Sequence, residues 1–137
     1  MEFLSDAWIA RLDAAARAAD GVGADPPFSV ETLVHAPDGD TGYRVHFGAA
    51  GASVTVPGVG EADVVLATDP ETAWALHQGT VRAQDAFARG ALKLRGRPEL
   101  LAGNTELLAA LERAFAPVRA DTTPLGTTAP TSPLDGR

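Results

Sequence analysis

The sequence predicts a single α+β domain, and three observations carry that prediction. Apolar residues recur at three- and four-residue intervals near both ends of the chain, the spacing of helices. Through the middle third they alternate with polar residues, the spacing of half-buried strands. With 137 residues, 45% of them apolar, the chain suffices for one hydrophobic core.

The first helix is expected over about Phe3 to Ala19. Leu4, Trp8, Leu12, Ala15 and Ala19 form its apolar stripe, with Asp6, Asp13, Arg17 and Asp20 opposite. Asp13 precedes Arg17 by four, which supports the helix slightly. Gly21 and Gly23 end it, and Asp25-Pro26-Pro27 forces an extended entry into the next element.

Four strands follow. Phe28, Val30, Thr32 and Val34 alternate with Ser29, Glu31, Leu33 and His35, and the residues from Pro37 to Gly42 are dense in turn formers. Tyr43, Val45 and Phe47 alternate with Arg44 and His46; Val54 and Val56 flank Thr55; Asp63 to Ala67 is the fourth run. Short turns between them predict a meander, most simply antiparallel.

Helices return at Asp69, an N-cap followed by Pro70 at the first helical position and Glu71 near the positive end of the dipole. This helix carries Trp74, Leu76 and His77 and stops at Gly79. A second short helix, about Val81 to Arg89, carries Ala83, Ala86 and Phe87. Ala91 to Arg95 is the fifth strand, with Leu92 and Leu94 on one face. From Pro98 the chain is helical again, re-capped at Asn104, with a stripe of Leu107, Leu108, Leu111, Ala114 and Phe115. The expected domain is 1–118, and the Thr/Pro-rich stretch 119–137 is expected as a flexible tail because it has little apolar surface to bury.

Composition excludes several classes. There is no cysteine, hence no disulfide framework, thiolate zinc site or thiol nucleophile. A net charge of −7 argues against a nucleic-acid partner. The acidic start, Met-Glu-Phe-Leu-Ser-Asp, and the lack of a long apolar run predict a cytoplasmic protein. Charge is uneven: residues 82–97 hold Arg82, Arg89, Lys93, Arg95 and Arg97 against Asp85 alone. We read that stretch as a solvated face answering nearby acids, with transient contact to a membrane surface as the alternative.

Catalytic and metal chemistry find little support. His35 and His46 could meet across a hairpin, but no acid completes a helical metal pair, and exposed sheet positions are the simpler reading. His77 beside Trp74 reads as a satisfied, half-buried histidine. Ser53 lacks the glycine frame of a nucleophile elbow. Asp38-Gly39-Asp40-Thr41-Gly42 begins like a calcium loop but lacks the later ligands, so it reads as a turn. Gly21-Val22-Gly23 and Gly58-Val59-Gly60 lack a dinucleotide setting. No catalytic residue, metal site or cofactor is expected.

Four segments then carry a family resemblance: Asp63 to Asp69, Trp74 to Gly79, Ala83 to Phe87 and Gly90 to Gly96. Together, in the order of elements above, they resemble the sterol-binding domain of the type-two sterol carrier proteins over about Phe3 to Val118. The resemblance implies a five-stranded, mainly antiparallel sheet with helices packed on one face, enclosing an apolar tunnel. It implies non-catalytic carriage of a lipid or other small apolar ligand of the sterol, fatty acid or acyl-CoA class. One departure is Gly96-Arg97, where the family has Gly-Asp.

The residues expected to line the tunnel are Trp74, Phe87, Leu108, Leu111 and Phe115 from helices, with Leu66 and Leu92 from strands. Arg82 or Arg89 would anchor a carboxylate or phosphate head. The alternative is a pocket-poor module that forms a homodimer or serves a lipid- or steroid-metabolising partner enzyme. An enzyme using His77 or Asp85 is a third reading.

Overall fold

Ser5 starts the first helix, two residues later than the apolar stripe predicts. A computed structural model of the chain describes residues 2–123, apart from 38 and 59. Helix α1 spans Asp6–Ala18, and the Ser5 hydroxyl accepts a hydrogen bond from Trp8 N–H at 3.2 Å. Phe3 and Leu4 precede the helix yet are buried, so they join the core from an irregular segment. Asp13 and Arg17 pair at 2.9 Å as the spacing predicts, and Asp13 also accepts from the Val54 N–H at 2.8 Å. Burial alone would raise the Asp13 carboxyl; the Val54 N–H and Arg17 outweigh it and hold it below the usual range.

Five strands form one sheet: β1 Phe28–Ala36, β2 Gly39–Gly48, β3 Gly51–Thr55, β4 Val64–Thr68 and β5 Leu92–Gly96. Their order is β3-β2-β1-β4-β5. The β1–β2, β2–β3 and β4–β5 pairs are antiparallel, with Val30 opposite Val45, Val45 opposite Val54 and Leu66 opposite Leu94. The sheet is therefore mostly antiparallel, but the four-strand meander stops at three. β4 lies parallel to β1, with Val30 opposite Val64. The connection from β3 leads to the far side of β1 and must cross the sheet. It crosses the face bearing Arg44, whose Nη2 donates to the Gly60 carbonyl at 2.8 Å. Ser29 and Asp63 fix the register: Ser29 N–H donates to the Asp63 carboxylate at 2.9 Å, and Asp63 N–H donates to Ser29 Oγ at 3.3 Å.

Helices cover the other face. α2 spans Pro70–Gln78, α3 Ala83–Ala88, α4 Glu99–Ala102 and α5 Thr105–Ala120. Asn104 does not cap α5 with its side chain; its Nδ2 donates back to Leu100 C=O at 2.7 Å and closes α4. At Gly96-Arg97 the Arg97 Nε donates to Glu99 at 3.1 Å, and α4 begins without a side-chain cap. Helix α5 continues past the expected boundary at Val118 to Ala120, and Phe3 N–H donates to Thr123 C=O at 2.9 Å. Residues 119–123 are thus part of the fold, and the rest of the expected tail lies outside the described residues.

Candidate functional site

Period two in the strands and period three-to-four in the helices bring apolar side chains to one interlayer space. From the sheet come Val30 and Thr32, then Tyr43, Val45 and Phe47, then Leu66 and Leu92. From α5 come Leu108, Leu111 and Phe115, and from α1 Trp8 and Leu12. α2 contributes Ala73, Leu76 and His77. Its orientation is set at both ends. The Asp69 carboxylate accepts from Thr72 N–H at 2.7 Å and from the Thr72 hydroxyl at 2.9 Å, while Gly79 closes the helix at φ 78°. These walls enclose a cavity of about 500 Å³. Gly79, Arg82, Ala83, Gln84 and Glu112 line it and are exposed, which marks its mouth at the α2–α3 connection.

One end of the cavity is aromatic and polar. Phe3 stacks on His77 with ring centroids 5.2 Å apart and meets Trp8 edge-on at 4.9 Å. Trp8 meets Tyr43 edge-on at 5.1 Å. Burial pushes the Tyr43 hydroxyl up, against a hydrogen bond with Thr32 that favours ionisation, and the Glu112 charge pushes it further. Burial pushes His77 down to about 4, and the Arg119 charge lowers it too, so its imidazole is neutral at pH 7. Arg119 Nη2 donates to Glu112 at 2.9 Å.

The structure brings together six of the nine expected site residues: Leu66, Leu92, Leu108, Leu111, Phe115 and Arg82. Three are elsewhere. Trp74 lies one step around α2 from the cavity-facing Ala73 and packs edge-on against Phe3 at 5.5 Å. Phe87 is 36% exposed, because the six-residue α3 buries Ala86 instead and turns its neighbour outward. Arg89 is exposed at the end of α3, away from the cavity. His77 is half-buried as expected, but its Nε2 has no hydrogen-bond partner. His35 and His46 are not opposite one another: His35 pairs with Asp40 at 2.9 Å and His46 meets Thr55 at 3.0 Å.

The sequence reading missed Phe3, Trp8, Tyr43, Val45, Phe47 and Arg119 as lining residues. The strand alternation already put Tyr43, Val45 and Phe47 on one face, and Trp8 lay on the apolar stripe of α1; Arg119 carried no signal. Among the described residues no group of three or more His, Asp or Glu is placed to hold a metal ion, and no helix is long and apolar enough to cross a membrane.

A mostly antiparallel sheet, helices on one face and a cavity of about 500 Å³ between them define an α+β fold. The fold is that of the type-two sterol carrier proteins. A conserved hypothetical protein from Thermus thermophilus, suggested to be a sterol carrier protein, superposes with a TM-score of 0.62 at 22% identity, over 93% of this chain and 94% of its own. A crystal structure of sterol carrier protein 2 gives 0.61 at 21% identity over 86% and 98%. The palmitated sterol carrier protein 2 like 2 of Aedes aegypti gives 0.58 at 22% identity over 74% and 90%. No protein-family model and no curated protein matches the sequence.

Proposed function

We propose that the protein is a non-catalytic, cytoplasmic carrier of a lipid or other small apolar ligand, of the sterol, fatty acid or acyl-CoA class. The cavity is the observation that carries this reading. Its lining is mainly apolar and it opens at one end, which suits an apolar guest. Leu66, Leu92, Leu108, Leu111 and Phe115 bury the hydrocarbon, each methylene contributing about 0.8 kcal/mol, and Arg82 stands at the mouth. A shared fold with a palmitated relative supports the reading. Transient contact with a membrane surface fits the exposed Arg82, Phe87 and Arg89 on one short helix. The rival pocket-poor module requires large side chains filling the interlayer space, and the cavity weighs against it.

The test is organic extraction of purified protein followed by mass spectrometry, with a thermal-shift panel of long-chain amphiphiles. Co-purified lipid or a raised melting temperature is the expected result. Neither appearing across the panel would overturn carriage.

A further inference from the structure

The two edges of the sheet differ. At β3 the outward N–H of Val54 is taken by the Asp13 carboxylate of α1 at 2.8 Å, which closes that edge. The β5 edge has no such cover. Arg97 N–H donates to Asp63 C=O at 3.0 Å, and the register then gives Arg95 and Lys93 their backbone partners on β4, at Val65 and Ala67. The N–H and C=O groups of Leu92 and Leu94 therefore point away from the sheet, and among the described residues no hydrogen bond reaches them from that side. Side chains alternate along the same strand. Leu92 faces the interlayer cavity and Leu94 packs on the core, which puts Lys93 and Arg95 on the opposite sheet face, both exposed. Nearby acids answer this basic stretch only at Arg97, which pairs with Glu99. Among the described residues Lys93 and Arg95 make no ion pair, although the chain carries a net charge of −7.

We propose that the β5 edge docks an extended acidic segment of a partner protein, which adds antiparallel to β5 as a further strand of the sheet. The inference is independent of the carrier reading. Residues opposite Lys93 and Arg95 fall in the non-hydrogen-bonded positions of the new ladder, where facing side chains lie closest. Acids at those two positions meet both cations, because an extended chain shares with β5 a two-residue repeat of about 6.8 Å. The residue between them exchanges backbone bonds with Leu94 and lies on the helix side of the sheet, where an apolar side chain fits. A second copy of this chain is a poor occupant. β5 paired antiparallel with itself about Leu94 sets Lys93 against Arg95 twice, and β3, Gly51–Thr55, has no acid to offer. An anionic membrane surface could use the same cations, but it leaves the outward backbone groups of Leu92 and Leu94 without a strand to pair with.

The probes are three labelled peptides bound to the full chain at low salt and followed by fluorescence anisotropy. The first is Thr-Val-Glu-Val-Glu-Val-Thr, the second has lysine for both glutamates, and the third has proline for the central valine. The glutamate peptide is expected to bind at least about tenfold more tightly than either of the others and to shift the Leu94 amide resonance. Lys93→Glu combined with Arg95→Glu should reverse the preference between the glutamate and lysine peptides. Equal binding of the glutamate and proline peptides would mean charge attraction without strand pairing and would overturn the proposal. So would a wild-type protein that does not distinguish glutamate from lysine, a comparison that decides the matter even where the double variant fails to fold. Vesicles containing phosphatidylserine that bind the wild-type protein but not the double variant, with no binding of the glutamate peptide, would assign the cations to a lipid surface and overturn it too.

Discussion

Arg44 on β2 donates to Glu31 on β1 from both Nε, at 3.0 Å, and Nη2, at 2.6 Å, and each residue is less than a tenth exposed. The pair lies on the sheet face away from the helices, beneath the connection whose Gly60 carbonyl takes a further bond from Arg44. Removing one partner leaves the other charge buried and unpaired. Arg44→Met should lower unfolding free energy by about 3–5 kcal/mol. Glu31→Leu with Arg44→Met together should recover much of that loss. Urea denaturation of the three proteins checks both statements.

His77 makes stability depend on pH in a defined window. Unfolded, its imidazole titrates near 6.5; folded, it is pushed down to about 4 by burial and by Arg119. Between those values the unfolded state binds more protons, so His77's contribution is complete above 6.5 and is lost as pH falls toward 4. His77→Phe should flatten the melting-temperature profile between pH 6.5 and 4, and scanning calorimetry at unit pH steps measures it.

Asp69→Ala should destabilise the domain by about 1 kcal/mol, the usual cost of losing an N-cap. The Thr72 N–H, outweighing the opposite pull of burial, holds the Asp69 carboxyl below its usual range. The cap's contribution is therefore present above pH 3.8 and fades as pH falls through the lowered folded value. Acid titration of the wild-type and variant proteins should show the difference between them shrinking at low pH.

Leu111→Trp tests the cavity by filling it. Leu111 is buried in α5 and faces the interlayer space, so a larger ring has room to enter. The far-ultraviolet circular dichroism should be unchanged, while the thermal shift given by long-chain amphiphiles falls to nothing. A shift of wild-type size would show that ligand binds somewhere else.

Gly96→Ala should cost about 1–3 kcal/mol, seen as a lower denaturation midpoint. The glycine has φ 97°, and an added Cβ would run into the Asp63 carbonyl oxygen.

Periodicity made most elements legible, because most helices and strands bury one face; Gly39 to Gly42, which read as a turn, instead extend β2. Leu66, Leu92, Leu108, Leu111 and Phe115 were found that way and do face one space. Pairing was less legible. A connection of eight residues between β3 and β4 reads as a turn, and only the long-range Ser29–Asp63 and Arg44–Gly60 bonds reveal that it crosses the sheet. Phe87 misled for a related reason: on a one-and-a-half-turn helix, hydrophobicity does not say which side faces in, and the small Ala86 takes the buried place. Arg119 escaped notice because its neighbours in sequence, Pro117 and the Thr-rich stretch, look like the start of a tail. Its helix runs on to Ala120, and beyond it Phe3 N–H donates to Thr123 C=O.

The parallel pairing of β1 with β4 sets an order of assembly. Ser29 and Asp63 are 34 residues apart, whereas the β1–β2 and β2–β3 hairpins close over short turns. Short loops cost less entropy, so the three-strand half is expected to form before β4 docks. During that interval the β1 edge, with Val30 and Val34, offers its backbone to any extended chain nearby. Crowded nascent copies are then most vulnerable to intermolecular strand addition at β1, and a mutation that delays β4 would be felt as aggregation before it was felt as instability.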